Sequence, residues 1–305
     1  MKPADRNTRL RSSLILVAGA MIWGFAFVSQ SVGARYVEAG TFLAFRSWIA
    51  VLFLLPVTAV VSGMRKKAGV PTGAPLNRAQ KRIHLIGGVC CGTALFLASA
   101  AQQMGIAYTT TAKAGFITAL YVIIVPVLSV LLGQVPSKRI WFCVLLGLVG
   151  LYLLCMTGVA FSPGRGDALM LLCAFLFSIQ IMLVNHFSGR VDGLRLSFLE
   201  MLTEAVLATV FMLVFEHPTR EGITAALPAL LYAGIMSSGV AYTFQILGQK
   251  GTDPAVASLI MSLESVFSAI GGWLILHQKL SVREAMGCAL MFMAIVIAQL
   301  PDRSQ

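Results

Sequence analysis

Five charged side chains stand inside otherwise apolar stretches of this 305-residue chain, and each is a candidate for chemistry. They are Arg46, Lys113, Glu200, Glu204 and Glu264. At bilayer depth a charged side chain costs about 2.5 to 3.5 kcal/mol on insertion scales. A residue that is kept at such a cost is expected to pair, to hold water or to contact a substrate. These five positions are therefore the first candidates for a functional site.

Glu264 is the strongest of these candidates because of its depth. It lies in the apolar stretch 255–276, about ten residues or roughly 15 Å from either end of a helix. A carboxylate at this depth has to be paired, hydrogen-bonded, hydrated or protonated. Two functional roles fit, the binding of a substrate amine and the uptake of a proton. The structural alternative is a fixed hydrogen bond or an ion pair with Lys113 or Arg46, and the sequence leaves these roles open.

Neutral polar and aromatic residues complete the predicted site. Glutamines inside apolar stretches can hydrogen-bond a substrate or join neighbouring helices. Aromatic residues there can stack on an organic substrate, close a gate or pack in the core. Arg46 and Lys113 lie about one turn from the ends of their helices, so their long stems could instead reach the interface. The predicted substrate-binding residues are Trp23, Arg46, Gln102, Lys113, Tyr121, Gln180, Glu200, Tyr242, Gln245 and Glu264. We predict no catalytic residue and no metal ligand.

The composition predicts a membrane protein. Hydrophobic residues make up 58% of the chain and charged residues 11%, with a mean hydropathy of +0.85. A soluble domain carries about 25% charged residues because its surface faces water. Runs of about 20 apolar residues match a hydrocarbon core of about 30 Å. They predict ten membrane-spanning helices at 12–32, 41–63, 83–102, 110–133, 140–157, 167–187, 196–215, 224–247, 255–276 and 282–300.

Lysine and arginine predict the orientation of these helices. With the N-terminus inside, sixteen basic residues fall in inner segments and five in outer ones. Both termini are therefore expected in the cytoplasm, with the chain in the inner or plasma membrane. The basic start and apolar core of 12–32 also fit a signal peptide, but the length of this span and its counterpart in the second half favour a permanent helix. The net charge of +11 is attributed to topology and not to nucleic-acid binding.

Shared spacings indicate an internal repeat. Gln102 and Gln245 are 143 residues apart, and Trp23 stands 154 residues before Phe177. Two halves of five helices each have to lie inverted relative to one another, because five is odd. The predicted fold class is therefore an all-α polytopic membrane protein with two inverted five-helix repeats around a central cavity. The two repeats are predicted at residues 1–161 and 162–305.

Several segments carry a family resemblance by their order and spacing. They read IWGFAF at 22–27, FR at 45–46, QQMGIAYTT at 102–110, KAGFITALYV at 113–122, QILGQK at 245–250 and SLESVF at 262–267. Together they resemble the EamA family of the drug/metabolite transporter superfamily over nearly the whole chain. The resemblance implies a ten-helix bundle that works by alternating access on metabolites, amino acids or drugs. Many relatives end the fourth and ninth helices with Gly-Glu, where this chain has Gly133-Gln134 and His277-Gln278, so any proton-coupling role of that acid does not transfer to these positions.

These features predict a secondary transporter of small molecules that acts as an exporter or exchanger. No nucleotide-binding motif is present in the sequence, so ATP-driven transport by this chain is not expected. The alternative is a membrane-embedded enzyme acting on lipid-borne substrates, but the four histidines are scattered and no HExxH or serine-elbow pattern is present. No cofactor is predicted. The expected partners are a small-molecule substrate, with proton coupling as an open alternative, and the lipid bilayer. We expect a monomer or a weak homodimer.

Overall fold

The fold is a bundle of helices that confirms the predicted all-α polytopic membrane class. The computed structural model describes residues 6–68, 77–109, 111–156, 164–276 and 281–300, and no β-strand occurs among them. Nine of the described segments are long and apolar enough to cross a bilayer, and a tenth apolar segment is shorter. In chain order the helices are α1 Arg6–Gly33, α2 Ala39–Lys67, α3 Arg78–Ile106, α4a Thr111–Thr118, α4b Tyr121–Leu131, α5 Lys138–Cys155, α6 Arg165–Ser188, α7 Gly193–Phe215, α8 Arg220–Gln249, α9a Pro254–Met261, α9b Glu264–Leu276 and α10 Val282–Gln299.

Local capping signals set where several helices begin. At the start of α3, Asn77 Oδ1 accepts from the Gln80 N–H at 2.8 Å, and Gln80 Oε1 accepts from the Asn77 N–H at 3.1 Å. Ser281 and Glu284 form the same reciprocal capping box at the start of α10. Asp253 caps α9a with its side-chain oxygen. These contacts satisfy first-turn N–H groups that have no carbonyl partner within the helix.

Two predicted spans are not continuous helices, and the structure corrects the sequence-based prediction here. The spans predicted at 110–133 and 255–276 are interrupted, at residues 119–120 and 262–263. At each break the backbone changes from α-helical hydrogen bonds to the tighter hydrogen bonds of a 3₁₀ turn. The Leu120 N–H donates to the carbonyl three residues earlier at 3.2 Å, and the Leu263 N–H does the same at 3.1 Å. Such 3₁₀ turns change the direction of the residues that follow. Hydrophobic periodicity misses these breaks because both sides of each break are equally apolar.

A second irregularity lies in α8. Ten of its residues, Tyr232–Ala241, form a π-helix that begins four residues after Pro228. A proline lacks the backbone N–H that an α-helix needs, and π-helical turns in helices are frequent at functional sites. The π-helical segment contains the buried Ser237 and leads directly into the buried Tyr242. The irregular part of α8 therefore lies beside the interior of the bundle.

Polar contacts fasten α2 to α7 at both ends of an antiparallel seam. Where α2 begins, Glu216 from the end of α7 accepts the backbone N–H groups of Gly40 and Thr41, each at 2.6 Å. Where α2 ends, Arg65 Nη1 lies 2.8 Å from Asp192 Oδ2 at the start of α7. The end of each helix thus meets the beginning of the other.

The helices α5 and α10 touch backbone to backbone through glycine. A methyl group on Gly150 would lie 2.7 Å from the Gly287 carbonyl oxygen, and one on Gly287 would lie 2.5 Å from the Gly150 carbonyl oxygen. Neither site has room for a side chain. Because lipid is as apolar as leucine, helix association in a bilayer depends on such close packing.

Gly150→Leu is expected to destabilise the protein by about 1–3 kcal/mol, because the new side chain forces α5 away from α10. The measurement is thermal unfolding in detergent followed by circular dichroism. Gly63→Leu is the matched control, since a Cβ at Gly63 on α2 meets nothing within 4 Å. Equal unfolding midpoints for the two variants would contradict the packing argument.

The Arg65–Asp192 contact predicts a pH dependence. Burial works to raise the pKa of Asp192, but hydrogen bonds from Arg65 and from the Arg195 N–H lower that pKa below its ordinary value. A carboxyl with a lowered folded-state pKa stabilises the fold above its unfolded pKa of about 3.9, and this contribution is lost as the pH falls through the folded value. Asp192→Asn should therefore cost about 1 kcal/mol or less at neutral pH, because the pair is partly exposed. Unfolding midpoints of the variant and the wild type should converge in acid. A difference that stays constant over the whole pH range would refute this role of Asp192.

Candidate functional site

A cavity lies between α1, α3 and α4 on one side and α6, α8 and α9 on the other. Its free volume is about 40 Å³, which is room for about three water molecules. This free volume is too small for a substrate of several heavy atoms, so binding one requires the lining residues to move. The lining residues are Trp23, Phe27, Gln30, Gln102, Thr118, Tyr121, Phe177, Gln180, Ile181, Ser237, Tyr242, Gln245, Met261 and Glu264. Seven of the ten residues predicted from the sequence are among them, whereas Arg46, Lys113 and Glu200 are not.

Glu264 and Tyr121 meet across the cavity. The Tyr121 hydroxyl donates to Glu264 Oε1 at 3.0 Å, and the two residues are 143 positions apart. Tyr121 is the first residue of α4b and Glu264 the first of α9b, so the two helix breaks bring these first turns together. Among the described residues no lysine or arginine forms an ion pair with Glu264. The ion pair with Lys113 or Arg46 considered from the sequence is therefore absent from this conformation.

Three polar side chains form a network at the edge of the cavity. Gln245 Nε2 donates to Gln180 Oε1 at 2.9 Å, and Gln180 Nε2 donates to Glu200 Oε1 at 2.8 Å. Glu200 itself is fully buried behind the lining. Gln102, the counterpart of Gln245 in the first half, lines the cavity without a side-chain hydrogen bond to the described residues. The two glutamines that the sequence pairs therefore differ in their contacts. Gln245 is held by a hydrogen bond to Gln180, whereas the Gln102 amide is available to bind a substrate in the cavity.

The aromatic part of the lining centres on Trp23. Its ring packs edge-on against Tyr242, with ring centroids 4.9 Å apart. Trp23 Nε1 is buried and has no hydrogen-bond partner among the described residues, and the same holds for the Ser237 hydroxyl. A buried polar group left without a partner costs about 1–3 kcal/mol. Both groups therefore point to a polar atom, from water or a substrate, that enters the cavity.

Arg46 lies behind the lining and is already paired. Its Nη2 donates to Glu204 Oε1 at 3.0 Å and to Ser99 Oγ at 3.0 Å, which joins α2 to α7 and α3. Arg46 is 2% exposed and Glu204 is 0% exposed, so neither reaches a membrane surface. In this conformation Arg46 therefore holds helices together and does not contact the cavity.

Lys113 lies at one end of the bundle, away from the cavity. Its Nζ pairs with Asp167 Oδ2, and the two side chains are only 9% and 11% exposed. Asp167 also accepts from the Gly164 N–H at 3.1 Å and from the Thr109 hydroxyl at 3.3 Å. The long stem of Lys113 thus ends in a partly buried ion pair that connects α4a to α6.

Sequence reasoning missed several lining residues. Phe177 carried a usable signal, because it stands opposite Trp23 in the proposed repeat and both rings line the cavity. Gln30 was visible as a polar residue in an apolar run. Ser237 had no signal, since its position depends on the π-helical turns of α8. The described lining offers one carboxyl, four carboxamides and five aromatic rings, groups that suit reversible binding of an organic molecule. Among the described residues, no cluster of three or more His, Cys, Asp or Glu is placed to hold a metal ion.

Comparisons with known proteins agree with this architecture. A profile of the EamA-like transporter family matches residues 10–156 and again residues 164–299. A protein of Archaeoglobus fulgidus described as an uncharacterized transporter is 31% identical over 298 residues, covering 97% of this chain and 88% of the relative. The uncharacterized transporter YoaV of Bacillus subtilis is 22% identical over 283 residues, covering 90% of this chain and 92% of the relative. A solved crystal structure that is 20% identical superposes with a TM-score of 0.73, covering 94% of this chain and 96% of the other, and so shares the fold.

The buried ion pair behind the cavity predicts a non-additive mutational effect. Arg46→Met leaves Glu204 buried without its cation and is expected to cost about 3–5 kcal/mol, as is Glu204→Met for the opposite reason. The double variant Arg46→Met/Glu204→Met removes both charges and should recover most of that loss. A double-mutant cycle of unfolding free energies in detergent measures this coupling. Additive losses would show that the two side chains do not depend on each other.

Proposed function

The chain belongs to the EamA-like transporter family, and from this we propose that it is a secondary carrier that moves small organic molecules across the membrane by alternating access. The observation that carries the proposal is the central cavity, which takes its lining from α1, α3 and α4 and from their counterparts α6, α8 and α9. A site between two repeats near the middle of the membrane is where secondary transporters bind their substrates.

The proposed inverted repeat is supported by equivalent contacts in the two halves. A methyl group on Gly105 of α3 would lie 3.2 Å from the Gly166 carbonyl oxygen of α6. A methyl group on Gly248 of α8 would lie 3.0 Å from the Ser12 carbonyl oxygen of α1. The same offsets of 143 and 154 residues relate these two contacts. The helix breaks in α4 and α9 are also 143 residues apart and share their hydrogen-bond pattern. We propose that residues 1–161 and 162–305 are two such repeats.

The proposed mechanism uses the broken helices as the moving parts. Broken helices in transporters place half-helix ends at the substrate, and here the first residues of α4b and α9b meet at the Tyr121–Glu264 hydrogen bond. A substrate that binds the Glu264 carboxylate breaks its hydrogen bond with Tyr121. The helix α4b is then free to move relative to α9b. The small free volume of the cavity means that substrate entry has to be accompanied by such a movement.

The proposal extends to direction and placement. We propose export or exchange, driven by an ion or solute gradient rather than ATP, with proton coupling as one alternative. The excess of basic residues in alternate connections supports cytoplasmic termini and insertion in the inner or plasma membrane. A monomer contains the complete cavity, and a weak homodimer is compatible with it.

Glu264→Gln is expected to lower carrier-mediated flux by at least about tenfold, because it removes the carboxyl that contacts both Tyr121 and the cavity. The measurement is efflux from proteoliposomes loaded with a mixed pool of metabolites, amino acids and amines, read by mass spectrometry with and without an imposed pH gradient. Tyr121→Phe should reduce flux less, since it keeps the ring and the carboxyl.

Glu221→Gln is the matched control for this experiment. Glu221 is an exposed carboxylate in the first turn of α8, far from the lining, and its variant should transport like the wild type. Unchanged flux and unchanged pH dependence in Glu264→Gln would remove Glu264 from the pathway. Absence of any flux from wild-type vesicles would count against the carrier function itself.

A further inference from the structure

The charged side chains of the cavity lining indicate which class of substrate it binds. This inference rests on the proposed carrier function. Glu264 is the acidic member of the lining, and none of the fourteen lining residues is a lysine, arginine or histidine. The two basic residues that the sequence suggested as partners of Glu264 are engaged elsewhere in the described structure. Arg46 is paired with Glu204 and Lys113 with Asp167. The cavity therefore has a site for a positive charge and offers no described basic side chain to hold a negative one.

The Glu264 carboxyl is incompletely satisfied by the protein. Its Oε1 accepts one hydrogen bond from Tyr121, and its Oε2 accepts none from the described residues. An ionised carboxylate can accept about four hydrogen bonds. A buried carboxylate needs such partners because few waters fit beside it. An ammonium group with its N–H donors supplies both the missing charge and the missing hydrogen bonds.

Aromatic rings reinforce the preference for a cation. Trp23, Tyr121 and Tyr242 line the cavity together with Phe27 and Phe177. The face of an aromatic ring is the negative end of its quadrupole and attracts a cation within about 6 Å. The same faces repel an anion. Ring faces also pack against a flat apolar body, which gives the remainder of a substrate its contact area.

The neutral polar groups complete the recognition. Gln30 and Gln102 line the cavity with side-chain amides that have no hydrogen bond to the described residues. Trp23 Nε1 and the Ser237 hydroxyl are buried, and no described residue forms a hydrogen bond with either group. These groups can bind a hydroxyl or carbonyl on the substrate, but they bring no positive charge to compensate a carboxylate or phosphate. An anionic substrate would therefore lose its water without an ion pair.

We propose that the cavity recognises small organic ammonium ions with a flat apolar body, with the ammonium group at Glu264 and the body among Trp23, Tyr121 and Tyr242. Amines are preferred to neutral molecules of the same shape, and anions are excluded. Zwitterions such as amino acids bind less tightly than the matching amine, because their carboxylate has no basic partner in the described lining. Binding has to widen the cavity beyond its present volume. Compact substrates are favoured because they require less widening.

The test compares four ligands of similar carbon skeleton that differ in charge. They are phenethylamine, 2-phenylethanol, 3-phenylpropanoate and phenylalanine. Binding of each radiolabelled ligand to the purified full-length protein in detergent is measured by equilibrium dialysis at neutral pH. Phenethylamine should bind at least about tenfold more tightly than 2-phenylethanol, phenylalanine should fall below phenethylamine, and 3-phenylpropanoate should show no saturable binding.

Variants separate the charge of Glu264 from its shape. Glu264→Gln should weaken phenethylamine binding at least about tenfold and leave 2-phenylethanol binding nearly unchanged. Glu264→Asp keeps the charge and should retain part of the preference for the amine. Glu221→Gln should bind as the wild type does. If Glu264→Gln fails to fold, the wild-type ligand series still decides the question.

Equal binding of amine and alcohol by the wild type, tighter binding of the anion, or no saturable binding of the amine would overturn the proposal. An amine preference that survives unchanged in folded Glu264→Gln would overturn the role of Glu264. The carrier function is judged separately by flux. Transport of an anion or sugar without amine binding would contradict the ammonium preference and support the carrier function. Glu264-dependent amine binding without any flux would support the ammonium preference and contradict the carrier function.

Discussion

The cost of an unsatisfied polar group in lipid is the constraint on which the rest of this structure depends. A bilayer core offers no water, so backbone and side-chain polar groups have to find partners inside the protein. Glu216 meets this demand by capping the first turn of α2, which belongs to the other half of the chain. Within the spans, Gln180 meets it by joining Glu200 to Gln245. Asn77 and Ser281 cap the starts of α3 and α10 at helix ends, where the Asn77 bonds are exposed.

The same constraint explains why the polar groups gather between the two halves. Arg46 and Glu204 neutralise each other across α2 and α7, and Ser99 on α3 takes a further hydrogen bond from the guanidinium. A buried pair of this kind adds little stability over an apolar core, but it penalises any packing that separates its members. It therefore fixes the register of α2 and α7 beside the cavity. Close glycine contacts, such as Gly150 with Gly287, fix the spacing elsewhere.

In the described part of the chain, buried polar groups without a partner occur in several places, and two of them line the cavity. These two are Trp23 Nε1 and the Ser237 hydroxyl, and Glu264 has one described partner for a group that could accept several. Proteins retain such groups where a ligand completes them. The breaks in α4 and α9 serve the same place, because they turn Tyr121 and Glu264 toward each other at the middle of their spans. The helix breaks and these incompletely satisfied polar groups therefore meet at the cavity.

Composition and apolar periodicity were enough to predict the class of the molecule. Its low charge and its apolar runs predicted the polytopic helical fold, and the segments around Trp23, Lys113 and Glu264 pointed to the family. These features are local in the chain, and each of them is set by composition or spacing. Most of the candidate site residues could also be found, since a polar residue in an apolar run is conspicuous whatever the fold.

Only the folded structure shows which of those residues line the cavity and which form ion pairs outside it. Lys113 and Arg46 were candidates beside Glu264, which ranked first by its depth in the sequence. The folded chain gives each of the two basic residues a carboxylate partner and leaves Glu264 facing the cavity. The breaks in α4 and α9 and the π-helical turns before Tyr242 were equally hidden. Hydrophobic periodicity reports which residues avoid water, but not which helices lie side by side. Pairing between residues more than one hundred positions apart depends on that packing, so only the assembled bundle could reveal it.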